Sequence, residues 1–195
     1  ASGKVTANVG YSVCSTCKAG YYEYTSGSNG GTCNQCPVGK ISAASSTTCT
    51  SCAAGRYADT AASLNCLSCP VGKYSSGSGS SGCISCPAGQ YQPSAGQRGC
   101  ASCPAGKYQG VTSQNQCVNA PPGSYSPSTG RSSSIQCPAG KYSKTSGYAA
   151  CSTCPAGSYS GVGHKSCSLC AEQYFSKAGQ SACTSCPKGS TTNAV

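Results

Sequence analysis

Twenty cysteines in 195 residues are what this chain offers for chemistry. They recur as C-x-x-C pairs: Cys14/Cys17, Cys33/Cys36, Cys49/Cys52, Cys66/Cys69, Cys83/Cys86, Cys100/Cys103, Cys151/Cys154, Cys167/Cys170 and Cys183/Cys186, with Cys117 and Cys137 standing alone. Paired cysteines can ligate zinc as thiolates, exchange disulfides at a low-pKa pair, or crosslink a small fold in an oxidising compartment. A redox C-x-x-C appears once, in a βαβ setting, and not in every segment. A long tandem string of four-cysteine sites suits no common zinc module, and Cys117 and Cys137 would each spoil a site. Spacing alone leaves a zinc array open as the rival, but crosslinking is preferred, and this density of cysteine is that of a secreted or cell-surface protein. Acid–base chemistry has little to work with: one histidine, His164, and three acids, Glu23, Asp59 and Glu172, far apart in sequence. General acid–base catalysis needs such groups positioned together. The sequence therefore points away from an enzyme and calls for no cofactor or metal.

The elements that position the cysteines are copies of one unit. Cys49, Cys66, Cys83, Cys100 and Cys117 are 17 residues apart, and the same step passes through Ser134 to Cys151. A fixed period means a small unit repeated along a line, each copy resting mainly on its neighbours. The unit reads C-x-x-C-P-x-G-K-Y-S, then a polar stretch, then Gly and three residues to the next Cys, as in 83–92, 100–109 and 151–160. Proline after the second Cys fixes φ as the chain leaves the crosslink. The glycine two residues on calls for a positive φ or a close backbone approach. The second glycine, as at Gly79, Gly96 and Gly130, reads as the turn of a short hairpin. Tyr57, Tyr74, Tyr91, Tyr108, Tyr125, Tyr142, Tyr159 and Phe175 share one position. As nearly the only large apolar groups, they are expected to pack on a disulfide or on the neighbouring aromatic. No window shows a helical apolar period. The predicted fold is a small disulfide-rich one: an elongated tandem array of short β-hairpin and loop units. So thin a core needs its staples, each closing a loop of about 15 residues and contributing about 3 kcal/mol.

Two substitutions bear on connectivity, which sequence alone leaves open. Ala120 replaces a second Cys and Ser134 the first Cys that follows it. In a ladder, the second Cys of each unit bonds the first of the next, and the two losses delete one bridge without orphaning a partner. The ladder is Cys17–Cys33, Cys36–Cys49, Cys52–Cys66, Cys69–Cys83, Cys86–Cys100, Cys103–Cys117, Cys137–Cys151, Cys154–Cys167 and Cys170–Cys183, leaving Cys14 and Cys186 at the two ends. A nested scheme, with Cys14–Cys36 around Cys17–Cys33 and Cys117–Cys137 lacking its inner bond, also survives but strands Cys183 and Cys186. The ladder is preferred, and both stay open here. The unit boundaries follow: a partial repeat over 1–16, cysteine-rich repeats over 17–119, a repeat without its disulfide over 120–136, repeats again over 137–185, and a partial repeat over 186–195. The partial ends read as a window cut from a longer array. The gap at 120–136, and the departures at Ala53, Ala171 and Gln173, are expected to be locally looser, with the gap a hinge or a contact site.

C-x-x-C-P-x-G-x-Y-S…G…C resembles the ephrin-receptor-like cysteine-rich repeat over essentially the whole chain. Its C-P-x-G-K-Y…C half is similar to the first small module of tumour necrosis factor receptor cysteine-rich domains. In that module the Cys before Pro bonds the next Cys, which implies the ladder. Arrays of this kind occur in receptor ectodomains and in large surface proteins of algae and protists. The resemblance implies an extended extracellular module without catalysis.

Surface composition suggests the partners. Lysine and arginine total 13 against three acids, a net charge of +10. Lys40, Arg56, Lys73, Lys107 and Lys141 share the position before the aromatic, so stacked units would line them into a basic stripe. Such a stripe could hold an anionic polysaccharide or an acidic partner; its plain alternative is solubility. Nucleic acid is not expected, since the aromatics should be packed internally. Serine-rich loops at 75–82 and 126–134 could carry O-linked sugars, and no Asn-x-Ser/Thr sequon is present. No apolar run is long enough to cross a bilayer. The chain is expected to be a structural segment of an extracellular or cell-surface filament, appendage or matrix protein, meeting copies of itself or other matrix proteins. Its alternative is the stalk or ligand-binding segment of a surface receptor or adhesion protein.

Overall fold

The computed structural model describes residues 4–6, 14–25, 31–187 and 189. The described residues hold no helix; their only repetitive elements are short strands joined in eleven two-stranded antiparallel sheets. The chain divides into two compact units, one of residues 1–86, 92–100 and 113–115, the other of 87–91, 101–112 and 116–195.

Each hairpin starts from the turn its sequence dictates. The amide of Lys73 donates to the carbonyl of Pro70 at 3.1 Å, and Gly72 between them has φ +74°. A turn whose third residue needs φ > 0 is the kind that selects glycine. Ala53 replaces proline without loss, for Arg56 N donates to Ala53 O at 3.0 Å. Gln173 replaces the glycine and itself adopts φ +65°, while Tyr174 N still donates to Ala171 O at 3.1 Å. The turn launches a two-residue strand, such as Lys73–Tyr74, that pairs with the residues between the next two cysteine positions, here Ile84–Ser85. In the first unit the pairings Lys40–Ile41 with Thr50–Ser51 and Arg56–Tyr57 with Leu67–Ser68 follow the same register. In the second unit Lys107–Tyr108 pairs with Val118–Asn119 and Lys141–Tyr142 with Ser152–Thr153.

The second glycine does something other than close a tight hairpin turn. About nine residues separate the paired strands, and Gly79 (φ +76°) sits among them with its amide on the carbonyl of Cys52 in the preceding repeat, at 2.7 Å. Gly96 docks in the same way on Cys69 and Gly130 on Cys103, both at 2.8 Å. Where this glycine is missing, Ser45, Ala62 and Ser113 adopt left-handed φ of 61°, 56° and 61°. The position is fixed by docking between repeats, and the sequence supplies glycine wherever it can.

Burial follows backbone contact and not aromatic packing. Among the described residues the enclosed apolar side chains are Cys17, Cys36, Cys52, Cys69, Cys86, Cys103, Cys137 and Cys154, together with Ala58 and Ala120. The aromatics from Tyr57 to Tyr159 are half-buried, and Phe175 is exposed. This corrects the expectation that they are packed internally: the fully enclosed positions are taken by cysteines and small residues, and the rings stay at the surface.

Candidate functional site

Nine disulfides join Cys17–Cys33, Cys36–Cys49, Cys52–Cys66, Cys69–Cys83, Cys86–Cys100, Cys103–Cys117, Cys137–Cys151, Cys154–Cys167 and Cys170–Cys183. Their Cα atoms lie 5.5–5.8 Å apart, within the ordinary range. A sulfur bonded to sulfur is not a thiolate, so these eighteen cysteines are staples and not ligands. Cys186 carries a free thiol. The side chain of Cys14 lies outside the described residues, as do most of the two end segments.

The residue after each aromatic was missed by sequence reasoning. Ser42, Ala58, Ser75, Gln92, Gln109, Ser126, Ser143, Ser160 and Ser176 are all buried. Each accepts, through its carbonyl, the amide of the turn glycine one repeat earlier: Gly55 N to Ser75 O and Gly106 N to Ser126 O, both at 2.8 Å. Five of the serines add a side-chain bond to the previous strand, beginning with Ser42 Oγ, which donates to Tyr21 O at 2.9 Å. Ser126 Oγ donates to Lys107 O, Ser143 Oγ to Ser124 O and Ser160 Oγ to Lys141 O, each at 2.9 Å, and Ser176 Oγ donates to Ser158 O at 2.8 Å. Gln92 and Gln109 instead turn back on their own loops, to Gly99 O and Gln116 O. A small polar residue fits here because it can satisfy itself while buried. Ser143→Ala removes the donor to Ser124 O and is expected to cost about 1 kcal/mol. The readout is faster hydrogen exchange at the amides of Gly123 and Ser143; unchanged exchange would count against the contact.

The gap keeps this network. Ala120 N donates to Gly106 O at 2.9 Å and Gly147 N to Ala120 O at 2.8 Å. Ser124–Tyr125 pairs with Ile135–Gln136 in the common register. The repeat without a disulfide thus keeps the hydrogen bonds and strand register of its neighbours.

The basic residues sit one to a hairpin. Arg56, Lys107 and Lys141 are exposed and Lys40 and Lys73 half-buried. Each faces a hydroxyl or amide across the strands: Ser51, Ser68, Ser85, Asn119 and Thr153. Beside them stand exposed aliphatic side chains: Leu67 and Ile84 in the first unit and Val118 in the second are 50%, 55% and 43% exposed and lie opposite Tyr57, Tyr74 and Tyr108. His164, Asp59 and Glu172 are exposed in separate segments and Glu23 lies in the strand Tyr21–Thr25. Among the described residues no cluster of three or more His, Cys, Asp or Glu could hold a metal, and no helix is long and apolar enough to cross a membrane.

Interlocked hairpins, all but one from Tyr21 to Ser185 with a staple, define a cysteine-rich, disulfide-built repeat array. The family model described as tyrosine-protein kinase ephrin type A/B receptor-like matches residues 39–82, 72–113 and 157–195. These cover more than half of the chain, and the chain belongs to that ephrin-receptor-like family. The stretch between the second and third matches contains the unit that lacks its disulfide. No curated protein matches the chain. Repeats of this kind are a non-catalytic module, and with their many disulfides they indicate an extracellular or cell-surface region.

Proposed function

We propose that this segment is structural, a repeat array within an extracellular or cell-surface filament, appendage or matrix protein. The observation that carries the reading is an exposed aliphatic side chain opposite a half-buried tyrosine, Leu67 and Ile84 on successive hairpins of the first compact unit and Val118 on a hairpin of the second. Apolar groups repeated at one register position and left in water favour repeated lateral contacts between chains. Disulfides and inter-repeat hydrogen bonds carry load along each chain, and these aliphatic side chains join chains side by side. Sedimentation and negative-stain microscopy of the oxidised segment test this. The expected result is concentration-dependent assembly with a regular repeat, weakened by Leu67→Gln, Ile84→Gln and Val118→Gln together. A monomer at every concentration would sink it. A second reading, the stalk or ligand-binding segment of a surface receptor or adhesion protein, is favoured by the receptor-like description of the matching family; it is the one that monomeric behaviour would support.

A further inference from the structure

We infer that the basic edge of the first compact unit binds a linear anionic polysaccharide, through three consecutive rungs that each present one cation and one serine. The rungs are Lys40 with Ser51, Arg56 with Ser68, and Lys73 with Ser85, cross-strand partners in their hairpins. Partners directly opposite on an antiparallel pair project to the same face, so cation and hydroxyl stand together. The rungs are consecutive in space as well as in sequence. Gly39 N, just before Lys40, donates to Ala58 O at 2.8 Å, and Gly55 N, just before Arg56, donates to Ser75 O at 2.8 Å. Strand therefore abuts strand, and equivalent side chains succeed one another along the edge.

The margin of this face is bare. Ser51 and Ser68 look onto Gly79 and Gly96, whose missing Cβ atoms would lie 3.5 and 3.6 Å from the two serine hydroxyls. All three serines are exposed, and so is Arg56, which reaches its own loop only through one long bond from Nη1 to Cys66 O at 3.4 Å. Lysine and arginine supply charge for sulfate or carboxylate groups. Serine hydroxyls donate and accept, as sugar hydroxyls require. Anions spaced evenly along a polymer fit cations spaced evenly along the rungs better than the irregular acids of a protein surface do. The chain offers only three acids against 13 basic residues, so an external polyanion is the natural counter-charge. In the second unit the column is interrupted, with Ser124 between Lys107 and Lys141.

This inference does not depend on whether the chains assemble. The probe is heparin, titrated against the oxidised 195-residue chain at physiological salt. Lys40→Gln, Arg56→Gln and Lys73→Gln together are expected to weaken binding about tenfold, and more salt to weaken it further. The control removes as much charge at the exposed Lys144, Lys165 and Lys177 and is expected to cost no more than about twofold. Lys40→Arg with Lys73→Arg should retain affinity, and mass spectrometry of each variant checks that its disulfides are formed. Three outcomes overturn the inference: no heparin binding, equal losses in the two triple variants, or equal affinity for polyglutamate, which would name an acidic protein as the partner.

Discussion

Gly89→Ala is expected to loosen the fold around its repeat, at a cost of about 2 kcal/mol. Two separate demands meet at this residue. Its φ is +83°, and a Cβ there would overlap the carbonyl of Gly130, two repeats further along. The amide of Gly89 also donates to Gln109 O at 2.7 Å, and its carbonyl accepts from Cys103 N at 2.9 Å. An alanine must therefore move backbone against backbone, and backbone cannot yield as the end of a flexible side chain can. The left-handed conformation alone costs about 1 kcal/mol for an L residue, and the displaced hydrogen bond about as much again. Two further variants separate the contributions. Gly157 has φ +76° but no atom within 4 Å of a built Cβ among the described residues, so Gly157→Ala should show the conformational cost alone. Gly82 has neither constraint, and Gly82→Ala should fall within about 0.5 kcal/mol of the parent. Hydrogen exchange read repeat by repeat is the measurement, because a linear array opens locally before it opens as a whole. Equal effects for Gly89 and Gly82 would remove close approach as the reason for this glycine.

The contact behind that prediction reaches two repeats on, which the period alone does not reveal. Each hairpin was expected to rest mainly on its immediate neighbours, and its hydrogen bonds do so. The turn glycines go further: Gly39 meets the Gly79 carbonyl, Gly72 that of Ser113 and Gly106 that of Gly147. This is how a chain with so few large apolar groups fills its interior. Backbone packs on backbone at glycine, and disulfides fill the space beside it.

How far the sequence could be read depended on whether a position's requirement is written in its residue type. A turn needing φ > 0 selects glycine, so the turn positions were legible. Cysteine spacing was legible because one chemistry fits a tandem pattern with two matched losses. The buried position after the aromatic was not, because Ser, Ala and Gln carry no hydrophobic signal. What buries Ser143 is the approach of Gly123, whose amide donates to the Ser143 carbonyl at 2.9 Å. A trace was nonetheless present: from Ser42 to Ser176 that column holds no charged residue. The aromatics misled in the opposite sense. Tyrosine is large enough to suggest a core, yet each ring stays partly exposed, which makes it available beside Leu67 and Ile84 for contacts outside the chain.

Restoring the missing staple should strengthen the array. With Ala120→Cys and Ser134→Cys together, a tenth disulfide is expected to form on oxidation and to stabilise that repeat by about 3 kcal/mol. The geometry is already in place. Cys103 and Cys117 close the preceding repeat with Cα atoms 5.8 Å apart and a sequence separation of 14, and positions 120 and 134 have the same separation. The hairpins within the two loops share a register, Lys107 with Asn119 in one and Ser124 with Gln136 in the other. Ala120 is as fully buried as Cys103, so the new sulfur enters an environment the fold builds for sulfur elsewhere. The gain comes chiefly from restricting the unfolded chain, since the hydrogen bonds at Ala120 exist without it. Mass spectrometry should show the loss of two hydrogens, and exchange at the amides of Ala120 and Cys137 should slow. Ala120→Cys alone is the control, because it adds the buried sulfur without closing a loop. If the paired thiols stay reduced under conditions that oxidise the other nine bridges, the chain path through 120–134 differs from that of its neighbours. If they bond without slowing exchange, this repeat is held by its docking to the repeats on either side, and the staples act elsewhere in the array for the same reason.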